Sequence, residues 1–158
     1  EAVRQDESDD AGKAEHRDVD VLLSMPGVGR IVGATVLSEA AQALRDRDYG
    51  RLRTLAGVAP VTKASGKKKG KRAPVEMRRA CSERLRNAMH HWAEIASRND
   101  EAARRQYTAL RERGQSHGRA LRGVADRLLR ILVVALTSGS LYDASRSTRS
   151  PYAKPTAA

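Results

Sequence analysis

The fold of the chain depends first on residues 22–37, which read LLSMPGVGRIVGATVL. At the centre of this segment, Pro26-Gly27-Val28-Gly29 predicts a tight turn, because proline and glycine adjoin the ends of helices. Side chains recur at helical spacing on both sides of the turn. Val19, Leu22 and Leu23 precede it, and Ile31, Val32, Thr35, Val36 and Ala40 follow it. The pattern predicts a helix, a glycine hairpin and a second helix over residues 19–44.

The turn has the form of a helix-hairpin-helix, which suits the binding of a phosphate. Glycine permits positive φ, so backbone N–H groups can turn outward at the start of the second helix. Such a nest binds a phosphate group and reads no bases. Val28 would fill the space between the helices, and Arg30 would add a charge. We therefore predict nucleic-acid contacts at Gly27, Val28, Gly29 and Arg30. An ordinary turn between two helices is the alternative.

The remainder of the chain predicts a mostly α fold. A short helix is favoured over residues 52–56, and residues 58–61 favour no more than an extended stretch, because they are few and include a proline. Three longer helical patterns follow, over residues 74–98, 101–113 and 116–137, with stops at Gly114 and Gly139. The first of them would place on one broad face Val75, Leu85, Ala88, Met89, Trp92 and Ile95. We expect a helix-hairpin-helix followed by a basic loop and three longer packed helices.

Composition indicates a polyanionic partner. The 158 residues include 30 Lys and Arg against 19 Asp and Glu, a formal net charge of +11. A basic excess of this size favours nucleic acid as the partner. An anionic membrane is the second candidate, but no basic helix with a Trp, Phe and Leu face is evident. The most apolar run, residues 128–136, contains Arg130 and is too short to span a bilayer. We expect no membrane partner, and a cytoplasmic protein that is associated with the nucleoid when active.

A lysine-rich loop follows residue 62. It begins with Lys63, Ala64, Ser65 and Gly66 and continues with Lys67, Lys68, Lys69, Lys71 and Arg72. The plainer interpretation is a solvated loop that contacts phosphates. The more specific interpretation is that Ser65 is a nucleophile. A serine hydroxyl that attacks phosphorus needs nearby positive charge and a route for its proton. The cluster supplies the charge, and Gly66 keeps the approach open.

The predicted helices carry many arginines, which together imply at least one basic surface. Arginine suits bidentate contacts with phosphate. The set comprises Arg78, Arg79, Arg84, Arg86, Arg104, Arg105, Arg119, Arg122, Arg127 and Arg130, and we assign nucleic-acid contacts to Arg78 and Arg79. We predict no metal site, because His90-His91 has no partner at ligand spacing. No phosphate-binding loop, dinucleotide fingerprint or Ser-His-Asp signature is present.

An ordered series of short motifs resembles a known family. The series comprises Leu22-Leu23-Ser24-Met25-Pro26-Gly27-Val28-Gly29, Glu39, Leu55-Ala56-Gly57-Val58-Ala59-Pro60-Val61-Thr62, Ser65-Gly66-Lys67, Arg78-Arg79, Leu85-Arg86, Trp92-Ala93, Tyr107, Leu110-Arg111, Arg113-Gly114, Ala120-Leu121 and Leu141-Tyr142-Asp143. It is similar to the C-terminal transposase domain of the bridge-RNA-guided insertion-sequence recombinases. In that family a RuvC-like DEDD domain with acidic Mg²⁺ ligands is joined through a coiled coil to a C-terminal serine domain.

The resemblance implies a mechanism and a set of partners. Ser65 would attack a scissile phosphate and form a phosphoserine link to DNA, giving site-specific strand cleavage and rejoining. A structured guide RNA would choose the DNA by base pairing. Further partners would be the RuvC-like N-terminal half and other copies of the protein, as a homo-oligomer assembled on DNA. No cofactor is expected in this segment, and Mg²⁺ is implied only for the RuvC-like half, which these residues lack. The segment alone is therefore expected to be inactive.

These inferences give a domain division and three hypotheses. We expect a linker or the end of a preceding coiled coil at 1–18, a serine transposase domain at 19–143 with its helix-hairpin-helix at 19–44, and a disordered tail at 144–158. The first hypothesis is a recombinase domain that acts through Ser65. The second is a nucleic-acid-binding module without catalysis. The third is an assembly piece whose long helices mediate oligomerisation.

Overall fold

The protein is described by a computed structural model that covers residues 18–62 and 75–147. Its elements follow the mostly α prediction. In chain order they are α1 (helical residues 18–24), α2 (Arg30–Glu39), α3 (Ala41–Arg45), α4 (Tyr49–Leu55), β1 (Pro60–Thr62), β2 (Val75–Met77), α5 (Glu83–Asn99), α6 (Glu101–Glu112), α7 (His117–Ser138) and α8 (Ala144–Ser147). Within these ranges no helix is both long and apolar enough to cross a membrane.

The ends of the helices follow local signals in the sequence. The Asp100 side chain caps α6 by accepting a hydrogen bond from the N–H of Ala103 at 2.8 Å. Gly139 ends α7 with φ +59°, and Gly114 follows α6 with φ +80°. Glycine adopts this left-handed conformation without steric cost. The predicted second and third long helices are confirmed to within a residue or two.

The first long helix begins later than predicted. The pattern from Pro74 was interpreted as helical, but helix α5 begins at Glu83, after the capping residue Ser82. Val75 instead belongs to strand β2, which pairs antiparallel with β1 so that Thr62 faces Val75 and Pro60 faces Met77. A β-branched residue fits a paired strand well, and partners distant in sequence decided this conformation. The extended stretch predicted for residues 58–61 overlaps β1.

The core lies where α5 crosses α2 and α7, with α6 packed against both α5 and α7. Trp92 on α5 is fully buried, and its indole N–H donates a hydrogen bond of 2.9 Å to the carbonyl of Pro26. Three residues assigned to apolar stripes lie instead at the surface: Ile31 is 84 % exposed, Leu23 46 % and Ile95 40 %. Spacing alone cannot fix the edge of a stripe, because neighbouring elements decide how wide a face is covered.

The end of the described chain packs back onto its beginning. The backbone N–H of Tyr142 donates to Ser24 Oγ at 2.9 Å, and the Tyr142 hydroxyl donates to Asp100 Oδ1 at 2.9 Å. These bonds connect the segment after α7 with α1 and with the α5–α6 junction. The tail predicted for 144–158 overlaps helix α8 at Ala144–Ser147. Residues 148–158, and residues 1–17 of the predicted linker, lie outside the described residues.

Candidate nucleic-acid interface

The glycine hairpin between α1 and α2 packs tightly against helix α5. Gly27 has φ +82°, and a Cβ atom there would lie 2.8 Å from the backbone nitrogen of Ala96. With the Trp92 bond to Pro26, this contact fixes the angle at which the hairpin leaves the core. Gly29 has φ −95°, so the positive φ expected of these glycines is right for Gly27 and wrong for Gly29.

The exposed part of the hairpin is the start of helix α2. Gly29 is its N-cap residue, and no side chain caps the helix. Gly29 and Arg30 are exposed, whereas Val28 is partly buried against the core, as predicted for a side chain that fills the space between the helices. Uncapped N–H groups at a helix start favour an anion. This geometry is compatible with a phosphate contact, which remains a prediction.

The segment with the predicted nucleophile lies outside the described residues. It includes Lys63, Ser65, Gly66, Lys67, Lys68, Lys69, Lys71 and Arg72. The structure does describe the residues on either side of this segment, Thr62 and Val75. Thr62 and Val75 are paired in the β1–β2 ladder, so the chain leaves and returns at one place. That place is immediately before Arg78 and Arg79 in the chain, the other basic residues predicted to contact nucleic acid.

Arg78 and Arg79 have no carboxylate partner among the described residues. Arg79 is exposed, while Arg78 is half-buried and its Nε atom has no hydrogen-bond partner in the part of the chain described. The Arg78 carbonyl accepts a weak hydrogen bond from Cys81 Sγ at 3.6 Å. Two guanidinium groups that lack a counter-charge within the described ranges therefore follow strand β2 directly.

Two arginines of helix α7 share this property. Arg122 Nη1 lies 3.6 Å from Met77 Sδ, which places it beside strand β2. Neither Arg122 nor Arg119 forms an ion pair within residues 18–62 and 75–147. Burial, together with the charge of Arg119, lowers the pKa of Arg122 below its usual value. The sequence placed both among the helix arginines but assigned them no contact, although their spacing of three residues puts them on one helix face.

Other arginines form ion pairs with carboxylates, some partly buried and some at the surface. Arg47 donates two hydrogen bonds of 2.8 Å to Asp18, and Arg53 donates two of 2.9 Å to Asp126. Ion pairs also join Arg51 to Asp46, Arg84 to Glu39, Arg86 to Glu83, Arg98 to Glu94 and Arg105 to Glu101. Within the described ranges, ion pairs are also absent at Arg30, Arg45, Arg104, Arg111 and Arg113. Position therefore distinguishes Arg78, Arg79, Arg119 and Arg122, which we call the β2 arginine group: two follow strand β2, and two lie one turn apart on α7, where Arg122 contacts Met77.

The glycine hairpin lies at one end of helix α2, and the chain segment that contains Arg79 approaches the other end. Gly29 begins that helix, while Glu39 at its end accepts a hydrogen bond of 2.8 Å from the Ser82 hydroxyl, just after Arg79 in the chain. A helix of this length spans about 15 Å. The predicted contacts of Arg30 and Arg79 therefore belong to two separate patches, which a single phosphate cannot bridge.

A partly buried polar cluster joins α4 to α7. The Tyr49 hydroxyl donates to Asp126 Oδ1 at 2.8 Å, and the guanidinium carbons of Arg53 and Arg130 each lie 5.3 Å from the centre of the Tyr49 ring. Burial, and then the hydrogen bond to Asp126, raise the pKa of Tyr49 above its usual value. A phenol with a raised pKa is a poor nucleophile, so this cluster supports the fold.

The described residues offer no metal centre. His90 lies between His91 and His117, with ring centres 5.9 and 6.2 Å away, and Tyr107 OH lies 2.9 Å from His117 Nδ1. Within the described ranges no three His, Cys, Asp or Glu side chains are grouped to hold a metal ion. The Mg²⁺ implied for the RuvC-like half therefore has no fitting ligand set here.

Comparison with known proteins gives consistent similarities. The model of the transposase IS116/IS110/IS902 family matches residues 19–108. A Streptomyces coelicolor protein named "Mini-circle putative transposase for IS117" is 36 % identical over 147 residues, covering 89 % of this chain and 34 % of that protein. The insertion element IS900 uncharacterized 42 kDa protein of Mycobacterium paratuberculosis is 33 % identical over 138 residues, covering 84 % and 33 %. The chain thus spans about a third of the length of these relatives.

Proposed function

Because the chain belongs to the IS116/IS110/IS902 transposase family, we propose that it is the DNA-binding, serine-bearing part of an insertion-sequence transposase. The proposal rests above all on the β2 arginine group. Those four guanidinium groups lack a carboxylate partner among the described residues. Arg78 and Arg79 follow strand β2 and Arg122 contacts Met77, so the group adjoins the β1–β2 pair from which the segment with Ser65 departs. Unpaired arginine next in the chain to a lysine-rich segment suits the phosphates of a DNA strand.

In the proposed reaction Ser65 exchanges one phosphodiester bond for another. Its Oγ forms a bond to phosphorus, the bond from phosphorus to a deoxyribose oxygen breaks, and the serine proton ends on the departing oxygen. Attack by a deoxyribose hydroxyl on the phosphoserine reverses the exchange and rejoins a strand. The arginines would stabilise the negative charge that develops on the phosphoryl oxygens. Among the described residues, the proposed reaction uses only the side chains of the β2 arginine group.

Other elements of the proposal concern the whole transposase. A structured guide RNA would select the DNA, and a RuvC-like half with Mg²⁺ would complete the protein, which would assemble as a homo-oligomer on DNA. The Mg²⁺ would supply charge neutralisation in that other half, and no step of this chain is assigned to it. Helix-hairpin-helix contacts from Gly29 and Arg30 would position the DNA backbone without reading its sequence.

The test is a covalent adduct. The full-length transposase is mixed with its RNA, DNA carrying the element ends, and Mg²⁺, and the products are separated on a denaturing gel. We expect a protein–DNA adduct that survives SDS and is lost in Ser65→Ala. Ser38→Ala is the matched control, because Ser38 is exposed on helix α2 and its hydroxyl donates to the Thr35 carbonyl of the same helix. An adduct that persists in Ser65→Ala would overturn the nucleophile assignment.

A binding module without catalysis is the second candidate. The observation in its favour is that the β2 arginine group would attract nucleic acid whether or not Ser65 reacts. In that case binding is intact, no adduct forms even on nicked substrates, and the affinity falls steeply with salt. An assembly role is the third, and it requires a defined oligomer in the absence of nucleic acid.

A further inference from the structure

A cleft with an apolar floor opens between helices α5 and α7. Its volume is about 240 Å³, and Met77 of strand β2, Met89 of α5 and Leu121 of α7 form part of its walls. That volume is slightly below the ~300–1,000 Å³ of pockets that bury a drug-sized ligand. A planar group of modest size, rather than a larger ligand, fits such a space.

The polar groups of the cleft carry only positive or neutral charge. Arg86 and Arg122 line it together with the Asn87 amide and the His90 imidazole, and no carboxylate does so among the described residues. The recorded contact of Arg122 is with a methionine sulfur, so its guanidinium retains free donors for an anion. Arg86 has a single distant ion pair, 3.6 Å from Glu83.

We infer that this cleft binds one nucleotide removed from the base stack of a nucleic-acid strand. The base would lie on the methionine and leucine floor, where sulfur and aliphatic groups contact an aromatic face well. Its phosphate would bind Arg122 and Arg86. Asn87 and His90 would offer hydrogen bonds to the base edge. The inference rests on the proposed function, because the nucleotide is taken to come from the DNA or RNA that the chain handles.

The position of the cleft supports this occupant over a protein side chain. Met77 lines it two residues after Val75, where the Ser65 segment returns to the fold, and Arg78 and Arg79 follow at once. A strand held by the β2 arginine group would pass the mouth of the cleft. An apolar side chain from a second copy would fill the floor but leave the two guanidinium groups without an anion.

The three methionines of the chain allow a direct test with deoxyadenosine monophosphate as the probe. Met77 and Met89 line the cleft, whereas Met25 is buried in the core beside the glycine hairpin. The chain is labelled with methyl-¹³C methionine and titrated with the nucleotide by NMR. We expect the methyl signals of Met77 and Met89 to shift in a saturable manner and that of Met25 to remain in place. Equal movement of all three, or of none, overturns the inference.

Two variants and a control sharpen the test. Gly118→Leu would place a bulky side chain in the lining of the cleft, where an added Cβ meets no atom closer than the Arg122 guanidinium at 3.8 Å. Arg122→Gln removes the anion partner and should weaken nucleotide binding about tenfold, as expected for a hydrogen bond to a charged group. Arg45→Gln removes the same charge from helix α3, outside the cleft, and should change the affinity less than twofold. Equal losses in Arg122→Gln and Arg45→Gln would overturn the inference.

A single-stranded oligonucleotide with one 2-aminopurine separates failure of the cleft from failure of the proposed function. Anisotropy reports total binding, and the fluorescence of the base rises when it leaves the stack. We expect Gly118→Leu to abolish the rise in fluorescence while total binding falls less than twofold. Strong binding with no fluorescence change and no methionine shift would reject the cleft and leave the DNA function. A Met77 and Met89 response to the free nucleotide without oligonucleotide binding would reject the DNA function and leave the cleft.

Discussion

Replacing Gly27 with alanine should destabilise the whole domain, because the glycine hairpin is pressed onto helix α5. At φ +82° an alanine pays the steric cost of a left-handed conformation, about 1–2 kcal/mol. Its Cβ would also lie 2.8 Å from the Ala96 backbone nitrogen. Backbone atoms of a core helix cannot move aside as the end of a flexible side chain can, so overpacking adds about 1–3 kcal/mol. We expect a total loss of about 2–5 kcal/mol in the free energy of unfolding.

The matched control is Gly114→Ala. Gly114 has nearly the same φ, +80°, but a Cβ there meets no atom within 4 Å, so only the conformational cost of about 1–2 kcal/mol applies. Urea unfolding followed by circular dichroism gives both free energies, and the Trp92 fluorescence reports the hairpin contact, since its indole bonds to Pro26. If the free energies of unfolding of the two variants fall by the same amount within about 0.5 kcal/mol, the contact with Ala96 adds no measurable cost. That result would refute the reasoning.

Two further predictions concern a helix cap and the partly buried phenol of Tyr49. Ser82→Ala removes both the cap of helix α5 and the hydrogen bond to Glu39, so it should cost about 0.5–2 kcal/mol in a thermal melt. Ser116→Ala should cost less than about 0.5 kcal/mol, because Ser116 makes no cap hydrogen bond, and equal losses would contradict the cap assignment. The raised pKa of Tyr49 favours its neutral form in the folded state, so that stabilisation is complete below the ordinary value of 10.0 and is lost as pH rises through the folded pKa. In an NMR titration, Asp126→Asn should lower the Tyr49 pKa, and an unchanged value would show that the carboxylate has no part in the shift.

Features set by near neighbours in the chain could be predicted. The turn at Pro26-Gly27, the stop of α7 at Gly139 and the stop after α6 at Gly114 depend on residues within one or two turns of each other. The same holds for the basic character of the surface, because +11 is a sum over residue types. For the site, the sequence identified Arg78 and Arg79, whose placement after β2 is compatible with that prediction.

Features that depend on distant partners could not be predicted. Val75 was assigned to a helix because its spacing fitted, but pairing with Thr62 placed it in a strand. Ile31 shares the helical spacing of its buried neighbours Val32 and Val36, yet none of the described elements covers it. Arg122 was one of ten similar helix arginines until its contact with Met77 placed it beside strand β2. Periodicity describes the faces of an element and leaves open which other element will cover them.

The sequence by itself determined the helices, the glycine hairpin and a charge that calls for a polyanion, because these follow from local backbone preferences and from composition. Only the tertiary structure decided which charges remain free. Arg53 is neutralised by Asp126, 73 residues further along the chain, whereas Arg122 has no carboxylate partner among the described residues. Residues with the same side chain thus divide into structural and available groups, because an ion pair needs atoms within a few ångströms and only packing brings distant segments that close.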